Sequence, residues 1–457
     1  MSVPQKENQL DDKQPAMREG IVTLLLGFSI VLVIMNTMMF NLALPDVSKA
    51  FELTPSATSW IVTGYSIIFA ISSITYSRLS DFVPLRRLLI IGILSLSIAA
   101  IIGFFANSFL MLLVVRILQA SGAGALPALS LVLISRYVPL ERRGKAMAAI
   151  MSAVSLGLGL GPVVGGAIVE YLGWHYLFVV TAVTLLLVPL FVRLIPKEKP
   201  IKGTFDALGA LLVGVGTTGL LLFLTNQSTI ALIAGLIALI LFVIRIRSAK
   251  EPFVLPSLFR NRSYLTLGAV GIAAYICSFS TLFLLPQILV KQFGLTAIGA
   301  GLVIFPGSLL AMFVSRQVGR IIDSQGNSSI IRYAPLLILI SVVLFALFEG
   351  TSYIAIMFIF MLLSVGFTVI NSSISNEMSR ILKPSQIGSG LGLFQLLQYF
   401  SGAFGVAATA SALVWQKDLT QTHAYSNIYW GMTVIVLISI GCAFAYLRSA
   451  PREVQTS

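Results

Sequence analysis

Residues 77–81 read Ser77-Arg78-Leu79-Ser80-Asp81, and residues 319–323 read Gly319-Arg320-Ile321-Ile322-Asp323. Each follows a long apolar run and puts an arginine second and an aspartate fifth. Two more pairs keep the same order. Ser135-Arg136 leads through Pro139 to Gly144, and Ser379-Arg380 leads through Pro384 to Gly388. Arg193-Leu194-Ile195-Pro196-Lys197-Glu198 is answered by Arg448-Ser449-Ala450-Pro451-Arg452-Glu453. Each pair is weak alone, but all three fall at one offset of eight apolar segments. The pattern predicts two homologous bundles with two segments inserted between them. Internal repeats of this kind mark transporters whose substrate site lies between the halves, near the membrane midplane.

Composition supports a membrane chain. Of 457 residues, 57% are apolar and 10% are charged, against about 25% charged in a soluble domain. Mean hydropathy is +0.96. A membrane span takes roughly 20 apolar residues. Fourteen such segments are read near 20–44, 56–76, 87–106, 109–135, 145–170, 174–194, 207–225, 228–246, 264–289, 297–321, 333–349, 352–375, 387–414 and 427–447. They are helical, because a lone span must satisfy its own backbone hydrogen bonds in lipid. They also lack the period-two polar alternation of barrel strands. The expected architecture is an all-α membrane protein of 6+2+6 spans with both termini cytoplasmic. Its parts are a tail (1–19), a first six-helix bundle (20–200), an inserted pair with linkers (201–262), a second bundle (263–448) and a tail (449–457). No polar stretch is long enough for a soluble catalytic domain, and no polar cluster sits at one depth, so an enzyme is not expected.

The net charge of +13 is a topological signal, not a nucleic-acid footprint. With the N-terminus inside, the thirty Lys and Arg fall on the cytoplasmic side except Lys49, Lys291 and Lys417 outside and Arg116 within a span. This is the positive-inside pattern of a multi-pass protein, here expected in the bacterial plasma membrane. Residues 1–19 carry mixed charges and lack the features of a signal peptide. Two cysteines and two histidines, far apart in sequence, argue against a metal centre. There is no glycine-rich phosphate loop ending in Lys-Ser/Thr, so ATP drive is not expected. No cofactor is implied.

Four stretches carry finer information. Asp81 with Arg86 and Arg87, matched by Asp323 in the second half, makes a charge clasp when set beside helix N-termini and guanidinium groups. The stretch Arg116-Ile117-Leu118-Gln119-Ala120-Ser121-Gly122 places a charge inside a span, which costs roughly 2.5–3.5 kcal/mol on insertion scales. Gly157, Gly161 and Gly165 lie four apart, with Pro162 and Gly166 among them, so one helix face is open to a close neighbour. The first span ends Met35-Asn36-Thr37-Met38-Met39-Phe40-Asn41-Leu42-Ala43-Leu44-Pro45.

These stretches resemble the major facilitator superfamily, and within it the fourteen-span drug/proton antiporters. The branches resembled are SdrM-type multidrug exporters and the tetracycline/proton antiporters of Gram-positive bacteria. The resemblance covers the first six spans well and thins to loop motifs in the second half. Two slots depart from the family pattern: Ser77 and Pro84 stand where it usually has glycine. Asn36 stands where many multidrug members have an aspartate. The resemblance implies that Asp81 belongs to a cytoplasmic gate and that Arg116 joins a proton-coupling network. It also implies that the Gly157–Gly166 stretch is an antiporter signature, and that the protein exports amphipathic or cationic drugs against an inward proton flow. A dedicated tetracycline antiporter and a nutrient importer of the same superfamily are the alternatives. A monomer in the lipid bilayer is expected.

None of the 17 acidic residues falls at the centre of a span. A proton-coupled pump needs a group that changes charge with access. The candidates are acids at helix ends, namely Glu170 and Asp46 first and Glu377 after them, with Arg116 beside them. Without a buried anion, substrate binding is expected to rest on aromatic, methionine and amide groups. Candidates are Asn36, Met39, Tyr65 and Phe69 in the first half, and Tyr275, Phe279, Phe305, Asn371, Gln395, Gln398 and Tyr399 in the second. About half are expected to line a central cavity.

Overall fold

The computed structural model describes residues 18–449 apart from 54, 201, 202 and 250. Most of both expected tails therefore lies outside the described residues. The described chain is helical, with no strand among the described residues. The first half comprises α1 (Glu19–Ala50), α2 (Pro55–Leu79), α3 (Leu85–Phe104), α4 (Phe109–Ala123), α5 (Ala125–Tyr137), α6 (Leu140–Tyr171), α7 (Leu177–Ala182) and α8 (Val188–Leu194). Next come α9 (Ala207–Asn226), α10 (Thr229–Ser248) and the short α11 (Pro256–Arg260). The second half comprises α12 (Arg262–Lys291), α13 (Ala297–Gln325), α14 (Ser328–Phe348), α15 (Tyr353–Ile381), α16 (Ile387–Trp415) and α17 (Gln421–Ser449).

Among the described residues, thirteen helical stretches are long and apolar enough to cross a membrane. The fourteenth expected span is α9, whose apolar stretch Ala207–Phe223 is shorter than the others. Large apolar side chains such as Leu24, Phe105, Leu186 and Ile230 are exposed around the outside, as suits a surface that meets lipid rather than water.

Two expected spans are broken. The segment near 109–135 is α4 and α5, parted at Gly124. There α2 passes so closely that a Cβ on Gly124 would lie 2.6 Å from the Phe69 carbonyl oxygen. Ser73 Oγ also donates to the Gly124 carbonyl at 3.1 Å. The segment near 174–194 runs as a short turn (Trp174–Tyr176), α7, a 3₁₀ stretch (Val183–Leu187) and α8. Pro189 has no N–H to give to the preceding turn. One turn earlier the Thr184 hydroxyl donates to the Thr181 carbonyl at 2.6 Å.

In the first half α1 packs on α6, while α2 and α3 pack on α4. In the second half α13 packs on α15, α12 on α16, and α14 on both α15 and α17. The halves meet chiefly where α6 faces α13 and α15, and where α2 faces α16. Counted in spans, these two seams are the fifth against the tenth and the second against the thirteenth. An offset of eight turns one pair into the other, so the interface obeys the same rule as the loop motifs. Helix α9 lies against both α2 and α16. Its start is pinned by Asp206, which accepts from Gly209 N at 3.0 Å, Phe253 N at 3.2 Å and Arg245 Nε at 3.1 Å.

Arg142 at the start of α6 pairs with Glu19 at the start of α1 at 3.1 Å. This marks one face of the molecule, termed the tail side. Near the end of α17, Tyr446 bonds Glu377 on α15. Two residues on, Ser379 Oγ accepts from Arg143 of α6 at 3.2 Å. Both ends of the described chain therefore share the tail side.

Candidate functional site: a chamber and its clasps

Between the halves lies a cavity of about 490 Å³, within the size range of small-molecule sites. Its walls come from α1 (Ile34, Thr37, Met38, Asn41), α2 (Val62, Tyr65, Ser66, Phe69), α12 (Phe279, Leu282, Phe283) and α16 (Tyr399 through Trp415), with Leu158 of α6. The inserted α9 contributes Leu221, and Gln227 just beyond it completes the wall. Apart from Ile34, Phe69 and Tyr399, which stand near mid-helix, the lining residues on helices lie in the half away from the tail side. No charged side chain lines the cavity among the described residues.

Aromatic rings cross the cavity's tail-side limit from one half to the other. Tyr65 stacks near Phe69 with centroids 6.0 Å apart, and Phe69 meets Tyr399 edge-on at 4.8 Å. Tyr399 in turn meets Tyr275 at 5.8 Å, and Tyr275 stacks on Phe279 at 5.4 Å. Below this row α2 and α16 touch. A Cβ on Gly392 would come within 2.6 Å of Ser77 Cβ, and Ser77 Oγ donates to the Gly388 carbonyl at 2.8 Å. The departure from glycine at Ser77 thus supplies a hydrogen bond between the halves.

Two aspartates clasp the tail side. Asp81 pairs with Arg78 at 2.6 Å and Arg136 at 3.3 Å, and lies against Gly388 so closely that a Cβ there would run into its Oδ1. Burial pushes the Asp81 carboxyl above its ordinary range, and the two guanidinium groups only partly offset that. Asp323 instead accepts backbone N–H bonds at the start of α6, from Gly144 at 2.8 Å and Lys145 at 3.1 Å. Of the expected gate residues, Asp81 and Asp323 sit at the seam. Arg86 is half-buried, Arg87 is exposed, and neither forms an ion pair with Asp81. Arg78 and Arg136 take that place. Arg136 also lies 3.8 Å from Glu198, which accepts from Tyr137 Oη at 2.8 Å. An arginine one turn before the aspartate was the available sequence signal for Arg78; Arg136 needed the fold.

The glycine face of α6 receives α1. Added Cβ atoms at Gly157 and Gly165 would fall 2.8 Å from Ile34 Cβ and Met39 Cα, and one at Gly161 would strike Met38. Pro162 sits within α6 without ending it, and Gly166 is buried. Met39 is therefore spent on helix packing.

Arg116 is 1% exposed. Its Nη1 donates to Asn36 Oδ1 and Gln119 Oε1, both at 2.9 Å. The Phe40 and Tyr65 rings cover it with centroids 4.0 Å away. Asn36 passes the contact on by donating to the Thr181 hydroxyl.

Of the eleven expected cavity residues, Tyr65, Phe69, Phe279 and Tyr399 line it. Asn36 and Met39 lie behind the wall as described. Tyr275 backs the aromatic row. Phe305 sits near Gly159 at the α6–α13 seam. Gln398 Nε2 donates to Asn371 Oδ1 at 2.6 Å, a buried amide pair beyond the lining. Gln395 is buried, its Oε1 without a partner. Polarity identified these amides as inward-facing, but inward here means the packed bundle.

The acids separate sharply. Glu170 and Asp46 are exposed at the far ends of α6 and α1. Glu377 is 2% exposed and accepts from Asn327 Nδ2 and Tyr446 Oη, both at 2.5 Å. Glu349, just after α14, is also buried, with Oε1 unpartnered. Among the described residues, no cluster of three or more His, Cys, Asp or Glu is placed to hold a metal ion.

The sequence profile described as Major Facilitator Superfamily matches residues 26–406. The chain is 26% identical to the riboflavin transporter RibZ of Clostridioides difficile over 455 residues, covering 96% of this chain and 99% of that protein. It is 28% identical to the lincomycin resistance protein LmrB of Bacillus subtilis over 400 residues, covering 82% of this chain and 81% of that protein. The crystal structure of the human organic anion transporter MFSD10 superposes with a TM-score of 0.70 at 16% identity, over 94% of this chain and 100% of that one. At that identity the likeness concerns the fold alone.

Proposed function

The chain belongs to the Major Facilitator Superfamily, a multi-pass membrane transporter and not an enzyme, and we propose that within it the protein is a proton-coupled exporter of amphipathic drugs. In this reading it is a monomer of fourteen spans with both termini cytoplasmic, driven by the proton gradient without any cofactor. The tail side is then the cytoplasmic side. One observation carries the reading: an uncharged, aromatic-walled chamber lies toward the far side, while clasps and packed helices close the tail side. Substrate held there leaves outward, and rocking of the halves reopens the chamber inward. Chamber walls of aromatic and methionine side chains adapt to several ligand shapes. The lincomycin-resistance relative supports drugs as the cargo class.

Proton exchange falls to Glu170, Asp46, Glu377 or Arg116. Glu377 is the buried carboxylate among them, accepting from Asn327 and Tyr446. The test is dye transport in reconstituted vesicles under an imposed proton gradient, with and without an uncoupler. The expected result is gradient-dependent transport that Glu377→Gln uncouples, alongside Glu170→Gln, Asp46→Asn and Arg116→Ala. Transport indifferent to the gradient contradicts the coupling. A second reading draws on the riboflavin-transporter relative. Here the chain carries a nutrient with a flat aromatic ring system, stacked on Tyr65, Phe69, Phe279 and Tyr399. Competition of dye transport by riboflavin, but not by drugs, favours this reading; a tetracycline-only profile favours the dedicated antiporter.

A further inference from the structure

Resting on the reading of the chamber as the substrate site, one feature narrows the substrate class. The guanidinium of Arg116 is buried, and no carboxylate lies within ion-pair distance of it among the described residues. Its hydrogen-bond and ring partners are neutral: two amide oxygens and two aromatic rings. Its Nε has no partner at all. The acid next along α1 is Asp46, ten residues and so about 15 Å beyond Asn36. Neutral dipoles and ring faces solvate a cation, but they do not neutralise it.

The uncancelled charge acts on the chamber. Tyr65 covers Arg116 on one side and forms chamber wall on the other. The lining holds no charged group to oppose the field, and its apolar walls transmit it with little screening. We infer that the chamber selects amphipathic substrates bearing an anionic group such as a carboxylate, their aromatic body lying along the ring row, and disfavours permanent cations. Asn36 is the determinant. Its Oδ1 already sits 2.9 Å from Nη1, so an aspartate there would neutralise Arg116 without changing shape.

The test uses three probes with one aromatic body: 1-pyrenebutanoate, its methyl ester, and the corresponding butyltrimethylammonium salt. Binding to the purified full-length protein is read by energy transfer to pyrene from tryptophan, since Trp415 lines the chamber. The expected order is carboxylate tightest, ester next and ammonium weakest, with steps of about tenfold from the single charge. Asn36→Asp is expected to erase the carboxylate's advantage over the ester and to tighten the ammonium about tenfold. Equal affinities in the native protein, or an order that Asn36→Asp leaves unchanged, overturn the inference alone. Absence of binding by all three overturns it together with the chamber reading. No gradient enters this assay, so its outcome is independent of transport direction and of proton coupling.

Discussion

Asp81 and Asp323 hold equivalent places in the two halves, yet different groups grip them. Asp81 rests on side chains: two guanidinium groups hold its oxygens, and Gly388 of the opposite half lies against it. Asp323 rests on the backbone, taking two N–H groups from the start of α6 in the opposite half. The fold thus fixes where each carboxylate goes, at a glycine-bearing helix start across the seam. The residues of each half decide how it is held. Side-chain ion pairs at a partly solvated face respond to salt and pH. Backbone donors at a helix start respond to salt far less, although the Asp323 carboxyl they hold still titrates, its value raised by burial.

The largest effect is expected where both clasps are alike. Gly388→Ala drives a methyl into Asp81 Oδ1, and Gly144→Ala drives one into Ile322 and to 2.6 Å from Asp323 Oδ1. Overpacking of this kind costs roughly 1–3 kcal/mol, charged wholly to the closed tail side. Spin labels at Glu141 and Lys383, read by pulsed distance measurement, should show a longer distance dominating in both variants. An unchanged distribution means that the glycines are not at the closing contact.

The carboxylates themselves should separate the two clasps. Asp81→Asn removes a charge whose burial outweighs its two guanidinium partners, both in its own half, and is expected to leave the closed state no weaker. Asp323→Asn keeps an acceptor for one backbone N–H and loses the helix-start charge interaction, about 1 kcal/mol. Raising salt should weaken the native Asp81 clasp and leave Asp81→Asn indifferent. Equal costs and equal salt responses would erase the distinction.

A pH titration sharpens the same point. Burial raises the Asp81 carboxyl in the closed state, and opening returns it to water and toward its ordinary value. Closing therefore takes up a proton. The closed state is favoured at low pH, and that advantage is lost as pH rises through the raised value. The tail-side distance should shorten on acidification across that window in the native protein, and Asp81→Asn should reduce that response to the part contributed by Asp323, whose carboxyl burial also raises. The smallest loss is expected from Ser77→Gly, which removes one hydrogen bond to the Gly388 carbonyl, roughly 1 kcal/mol or less. It should lengthen the tail-side distance slightly without altering its pH dependence.

Much of this architecture was legible from residues 77–81 and 319–323 and their fellow loops. Loop charges survive as sequence signals because water, unlike lipid, distinguishes them. Gly144 and Gly388 stood in the matched loops and proved to be the seats of the two aspartates. The chamber was less legible. A helix buried in lipid is apolar toward lipid, seam and cavity alike, so polarity does not fix which face points where. That is why Met39 was spent on Gly165 while Met38, one residue back, lines the cavity. Amides such as Asn371 and Gln398 satisfied each other inside the bundle. The contribution of Leu221 and Gln227 went unseen because nothing in an inserted helix announces its neighbours. The break at Gly124 has a local signal, Pro127, which gives no N–H to the Ala123 carbonyl, and a tertiary one, the approach of α2, that local sequence does not announce.

The central claim is that the two halves rock as bodies about the chamber. Its most direct measurement is a pair of distances in one protein with Cys277 and Cys442 replaced. One pair of spin labels at Glu141 and Lys383 spans the tail side, and another at Asn107 and Thr351 spans the far side. Introducing Gly388→Ala should lengthen the first distance and shorten the second together. A lengthened tail-side distance with the far-side distance unmoved would contradict the account.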